Sequence, residues 1–260
     1  MALVSVHYRS DQLKKTVEIL LTVPDCNGEF QKPLSEYPVV YLLHGLSEDA
    51  SSWTRKSNAE RYALERGLVL VMPSVDRSMY CDGVLGQNYF TYLTRELPGY
   101  LEKVFGLSRK REQNFVMGFS MGGFGALHTG LAFSHNYSKI AALSSALIIH
   151  QLRHMTPQDN NPIANLAYYR DIFGDLQTAH LRECNPEVLI QQKLEAGEKL
   201  PGIFMACGTE DFLIEPNRAF AAFLKENNVD FEYKESTGVH NWKFWNEYTE
   251  PAIRWMLDEV

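Results

Sequence analysis

The order of elements along the chain predicts an α/β fold: a mainly parallel central sheet with helices on both faces and a cap-like insertion. Three observations carry this expectation. Short apolar runs alternate with stretches whose apolar residues fall at helical spacing. Some of those runs are apolar on both faces, as a strand covered from two sides must be. No linker rich in Pro, Gly or Ser divides the 260 residues, a length that one large core accommodates, so a single domain over 1–260 is expected.

The elements follow in order. Segments 3–8 and 16–23 are alternating or β-branched and bounded by turn residues, as an edge hairpin is. Asp25-Cys26-Asn27-Gly28 and Pro33 mark a loop. Pro38-Val39-Val40-Tyr41-Leu42-Leu43 is a continuous apolar run ending at His44-Gly45, the pattern of a central parallel strand. Residues 55–66 are expected to be one helix stopped by Gly67, and 68–72 a strand stopped by Pro73. Tyr89, Leu93, Leu97, Leu101 and Phe105 share one helical face, so 89–105 is expected to be a helix with Pro98 as a kink point. Strands are expected at 114–119, 140–143, 202–206 and 230–234, and helices at 121–133, 217–227 and 241–257. Between the strands near 143 and 202, residues 147–199 exceed one crossover. They are expected to form an insertion over the carboxyl edge of the sheet.

Composition narrows the function classes. A hydrophobic fraction of 45% and a charged fraction of 22% describe an ordinary folded protein. A net charge of −7 counts against nucleic acid as a partner, which calls for a basic face. No run of about 18 apolar residues is present, so no membrane span is expected. The first residues lack a basic leader followed by an apolar stretch, which makes a cytoplasmic location the expectation. Cys26, Cys81, Cys184 and Cys207 have no metal-ligand spacing, so no metal is expected.

Gly118-Phe119-Ser120-Met121-Gly122 matches G-x-S-x-G. It follows an apolar strand and opens a helix, the context that turns a weak pattern into a nucleophile elbow. A serine on that turn is forced into a strained conformation with its hydroxyl lifted off the sheet. Residues two before and two after it crowd each other, and Gly118 and Gly122 are both small enough. The dinucleotide fingerprint and the P-loop lysine are absent, which removes the phosphate-cradle alternative.

A serine hydroxyl needs a neighbouring base. Among eight histidines, only His240 follows the last expected strand and precedes the closing helix. The acid comes between serine and histidine in this type of fold. Asp211, at the end of Gly208-Thr209-Glu210-Asp211, is favoured to hold the imidazole, with Glu210, Asp175 and Glu235 as competitors. Negative charge on a tetrahedral intermediate needs fixed donors. The expected pair is the backbone N–H of Met121 and that of Leu46, with Gly45 permitting the turn and His44 bracing the loop. Trp53, Tyr80, Tyr89, Phe119, Tyr168 and Tyr169 are possible walls, none of them assigned, and the same holds for Cys81 and Asp82.

Taken together, His44-Gly45-Leu46-Ser47-Glu48-Asp49, Asn88-Tyr89-Phe90-Thr91-Tyr92-Leu93, Glu96-Leu97-Pro98, 118–127, Gly208-Thr209-Glu210-Asp211-Phe212-Leu213 and His240-Asn241-Trp242 resemble the esterase D and S-formylglutathione hydrolase branch of the α/β-hydrolases. Within it the chain is most similar to the small bacterial tributyrin esterases. The resemblance spans nearly the whole chain. It implies the α/β-hydrolase fold, hydrolysis of short-chain acyl esters without a cofactor, a small-molecule ester as partner, and an intracellular enzyme in a group where homo-oligomers are common. The chain departs from the formylglutathione hydrolases at His44-Gly45-Leu46 and at Tyr80-Cys81-Asp82-Gly83, which counts against a glutathione thioester. Acetyl-xylan and feruloyl esterases share the core but are commonly secreted.

Overall fold

The computed structural model describes residues 1–25, 32–159 and 161–259. Cys26, Asn27 and Gly28 of the expected loop lie outside them. Among the described residues the strands are β1 (Ala2–Arg9), β2 (Thr16–Val23), β3 (Val39–Leu43), β4 (Val69–Pro73), β5 (Asn114–Phe119), β6 (Lys139–Leu143), β7 (Gly202–Gly208) and β8 (Phe231–Ser236). They form one sheet in the order β1-β2-β4-β3-β5-β6-β7-β8. The hairpin β1–β2 joins the edge antiparallel to β4, and every pair from β4 through β3 to β8 is parallel. Parallel pairing puts the carboxyl ends of β3, β5, β7 and β8 at one rim, and each of these ends leads into a residue of the site.

The strand run 39–43 is buried throughout, and its side chains divide by parity. Val39, Tyr41 and Leu43 enter one core, while Val40 and Leu42 enter the other. The first core is closed by α4 (Leu97–Phe105), α5 (Met121–Ala132), α8 (Pro186–Glu195) and α9 (Ile214–Glu226). The opposite face is covered by α1 (Ser52–Lys56), α2 (Ala59–Arg66) and α10 (Trp242–Met256). Continuous apolar strands are therefore the sequence mark of a sheet with helices on both sides.

Two expected helices are divided. Residues 55–66 do not form a single helix. The segment is broken at Ser57, whose backbone is extended and whose hydroxyl donates to Trp53 O, while the Asn58 N–H donates to Asn246 Oδ1 on α10. A side chain 188 positions away thus takes the donor that a continuous helix would have used. Residues 89–105 begin with α3 (Tyr89–Thr91), pass through a π-helical segment, Tyr92–Glu96, and end in α4. Pro98 sits in the first turn of α4, where its missing N–H and its ring are tolerated. The wider π turn before it supplies the space that an α-helical path would deny.

Between β6 and β7 lie α6 (Ile149–Leu152), α7 (Leu166–Phe173) and α8. The last of these packs on α5 and serves as the crossover helix. The stretch before it, 147–185, carries α6, α7 and the loops that reach the rim.

Candidate active site

The turn at Ser120 is built by local sterics. Ser120 has φ 55° and ψ −121°, a region that side chains rarely occupy, and it stands at the head of α5. Its N–H donates to Leu143 O at 2.9 Å and its carbonyl accepts from Ala146 N at 2.9 Å, so neighbouring backbone holds the strained turn. A methyl group on Gly118 would lie 2.1 Å from Gly122 O, and one on Gly122 would lie 2.2 Å from Leu43 O. Only glycine fits either position.

Three side chains from separate strand ends meet there. Ser120 Oγ lies 2.9 Å from His240 Nε2. His240 Nδ1 lies 2.9 Å from Asp211 Oδ2 and 3.0 Å from Oδ1. With a buried carboxylate facing it, Nδ1 is the donor, which leaves Nε2 to accept from the serine hydroxyl. Burial pushes the Asp211 carboxyl up, but hydrogen bonds from His240 and from Leu213 N–H outweigh it and hold the group below its ordinary range. The loops carrying Asp211 and His240 are tied together: Glu210 N donates to Gly238 O at 3.0 Å, and Gly238 N donates to Glu210 Oε2 at 2.6 Å. Glu210 is therefore turned away from the imidazole and holds the next loop instead.

The rim beside the serine is shaped by the loop after β3. His44 is buried; its Nδ1 donates to Gly45 O at 2.8 Å and its Nε2 accepts from Val75 N at 3.1 Å. Burial lowers its pKa, opposed by the bond to Gly45, so a neutral ring braces the turn from both nitrogens. The buried Tyr80 hydroxyl adds a bond to His44 O at 2.9 Å. The N–H groups of Leu46 and Met121 have no acceptor among the described residues, and both residues line the cavity that holds Ser120 and His240. Met121 opens α5, where the helix dipole favours negative charge.

That cavity measures about 350 Å³ and its wall is mainly apolar, with Met79, Ile148, Tyr169, Phe212 and Trp245 among its residues. Together, the strained serine, the aligned imidazole and carboxylate, and two amides turned to the same space form an arrangement suited to acyl transfer. The relatives agree. The model of the Esterase family, described as "Putative esterase", matches residues 10–255. The chain belongs to this family. An acetyl esterase of Caldicellulosiruptor saccharolyticus is 34% identical over 261 residues, covering 98% of both chains. FphF, a fluorophosphonate-binding serine hydrolase of Staphylococcus aureus solved with substrate bound, superposes with a TM-score of 0.88 at 29% identity, covering 98% of each chain. The S-formylglutathione hydrolase FrmB of the same organism gives 0.85 at 28%, with the same coverage. The protein is a carboxylic-ester hydrolase of the α/β-hydrolase fold.

Of the aromatic residues left unassigned from the sequence, Phe119 and Tyr169 line the cavity of this esterase. Trp53 is buried behind it, donating to Leu43 O at 3.2 Å. Tyr89, Tyr168 and Cys81 border a separate space of about 210 Å³. Burial pushes the Cys81 thiol well above its ordinary range, which favours the protonated form. The Asp82 carboxylate caps Thr91 through its N–H and hydroxyl. Phe212 and Trp245 escaped sequence reasoning. Their ring centroids lie 4.5 and 4.9 Å from that of His240, and Phe212 is 75% exposed at the mouth. The available signal was adjacency: one follows Asp211 directly, the other stands in the first turns of the helix after His240. Among the described residues no helix is long and apolar enough to cross a membrane, and no cluster of His, Cys, Asp and Glu has the geometry for a metal.

Proposed function

We propose that this esterase hydrolyses short-chain acyl esters in two steps, with Ser120 as nucleophile, His240 as general base and then acid, and Asp211 as the carboxylate that orients the imidazole. Ser120 Oγ attacks the ester carbonyl as its proton passes to His240 Nε2. The N–H groups of Leu46 and Met121 receive the negative oxygen, and Asp211 stabilises the imidazolium. His240 then protonates the departing alcohol. Water, deprotonated by the same nitrogen, releases the acid from the acyl-enzyme. The supporting observation is the unbroken hydrogen-bonded line from Asp211 through His240 to a serine held at positive φ.

The short-chain reading rests on the modest, largely apolar cavity and on the likeness to an acetyl esterase. We take residues 147–199 as a cap-like insertion in a single domain, since Ile148, Ile163, Ala164 and Tyr169 from this stretch line the same cavity as Ser120. The test is Ser120→Ala assayed on p-nitrophenyl butyrate. A fall in kcat of roughly a millionfold is expected, together with loss of covalent fluorophosphonate labelling. Turnover near that of the parent enzyme would reject the reading.

A second reading is thioester hydrolysis, favoured by the likeness to FrmB. Comparing kcat/KM for S-formylglutathione with that for a butyrate ester separates the two.

A further inference from the structure

Glu48 lies in the loop that follows Leu46, and its carboxylate reaches across the rim. Its Oε1 accepts from the indole Nε1 of Trp242 at 2.8 Å and from Lys56 Nζ at 2.8 Å. The indole partner is 194 positions away in sequence, two residues after His240 and at the first position of α10. Glu48 Oε2 is shielded from solvent and has no partner among the described residues, so both bonds fall on a single oxygen. The Trp242 ring packs edge-on against Trp53, Phe119 and Trp245, with centroids 5.3, 4.5 and 5.5 Å apart. Phe119 precedes the serine, and Trp245 packs edge-on against the His240 ring at 4.9 Å.

From this geometry we infer that Glu48 is a positioning residue. Through the Trp242 indole, it fixes the loop carrying the Leu46 amide against the segment carrying His240, so that the oxyanion donor and the base keep their spacing as charge develops. The two loops follow β3 and β8, which have β5, β6 and β7 between them in the sheet. A misplacement of about 1 Å in such a pair costs on the order of a hundredfold in rate. The inference rests on the proposed roles of Leu46 and His240.

The prediction concerns the transition state and not substrate affinity. Glu48→Ala should lower kcat for p-nitrophenyl butyrate by about 10- to 100-fold with KM changed by less than about threefold, and weaken inhibition by a boronic acid in parallel. Trp242→Phe keeps the packing and removes only the donor, and should reproduce the defect. The double variant should be no worse than Glu48→Ala alone, because both changes remove the bond between Glu48 and Trp242. Glu48→Gln presents an amide oxygen to the indole and places its NH₂ where Oε2 has no partner, so it should restore kcat to within about threefold. Unchanged kcat in folded Glu48→Ala and Trp242→Phe, or defects that multiply, overturns the inference. Should Glu48→Ala fail to fold, Trp242→Phe and Glu48→Gln decide it alone. Ser120→Ala in the same series keeps the outcomes apart: if it retains turnover the proposed mechanism fails, whereas its inactivity beside normal kcat in the other variants removes only the clasp.

Discussion

At the scale of single residues, the site is dictated by sterics that leave few choices. The elbow could be read from the sequence because its requirement is local: a residue held at positive φ between a strand and a helix needs small neighbours two positions away on each side. Gly122 faces Leu43 O, a main-chain atom locked in the ladder between β3 and β5. Gly122→Ala should therefore cost at least about 3 kcal/mol of stability, seen as a lower denaturant midpoint or as insoluble protein. The choice between adjacent carboxylates was harder from sequence, since Glu210 and Asp211 share one turn and only tertiary structure says which points inward. Asp211 is 2% exposed and faces the imidazole, whereas Glu210 is exposed and holds Gly238. Asp211→Asn should lower kcat about ten-thousandfold by favouring the wrong tautomer of His240. Glu210→Gln keeps an acceptor for Gly238 and should stay within about threefold of the parent. Equal losses in the two variants would reassign the acid.

At the scale of elements, strands were legible and the phasing of helices was not. A run such as 39–43 declares itself by being apolar on both faces. Helical spacing, by contrast, survives a break that resets the path without moving the apolar face. That is why 55–66 and 89–105 each read as one helix although Ser57 and the π turn divide them. The walls of the cavity were less legible still, because Phe212, Trp245 and Met79 come from three loops and helices that only the folded sheet brings together. Within the 147–199 stretch, Ala164 is 6% exposed and lines the cavity, so its side chain sets free volume there. Ala164→Leu adds three carbons to a space of about 350 Å³. It should leave acetate turnover within a few-fold but lower kcat/KM for octanoate by at least about tenfold, since losing room for two methylenes forfeits roughly 1.6 kcal/mol of apolar contact. An unchanged profile from acetate to decanoate would mean that the acyl chain lies elsewhere.

At the scale of the whole molecule, stability should depend on pH through buried histidines outside the line from Asp211 through His240 to Ser120. His128 lies within α5. It is a core residue, packed against the loop carrying Tyr80 and Cys81. Its Nδ1 donates to Tyr80 O at 3.2 Å, and its ring stacks on Phe90 with centroids 4.3 Å apart. Burial lowers its pKa to about 4, opposed by the bond to Tyr80. An unfolded chain titrates the same ring near 6.5. Between these values the unfolded state binds a proton that the folded state refuses, so stability falls as pH falls through that window and is fully present above it. From pH 7.5 to pH 5 the loss attributable to His128 is about 2 kcal/mol. His44, buried and also lowered, adds in the same direction. Urea midpoints should accordingly drop on acidification, and His128→Gln, which keeps a donor for Tyr80 O without titrating, should lose about 2 kcal/mol less over the same interval. Because Ser120, His240 and Asp211 are untouched, its activity at pH 7.5 should match the parent enzyme. Parallel stability curves for parent and variant would show that the imidazole of His128 accepts its proton inside the fold.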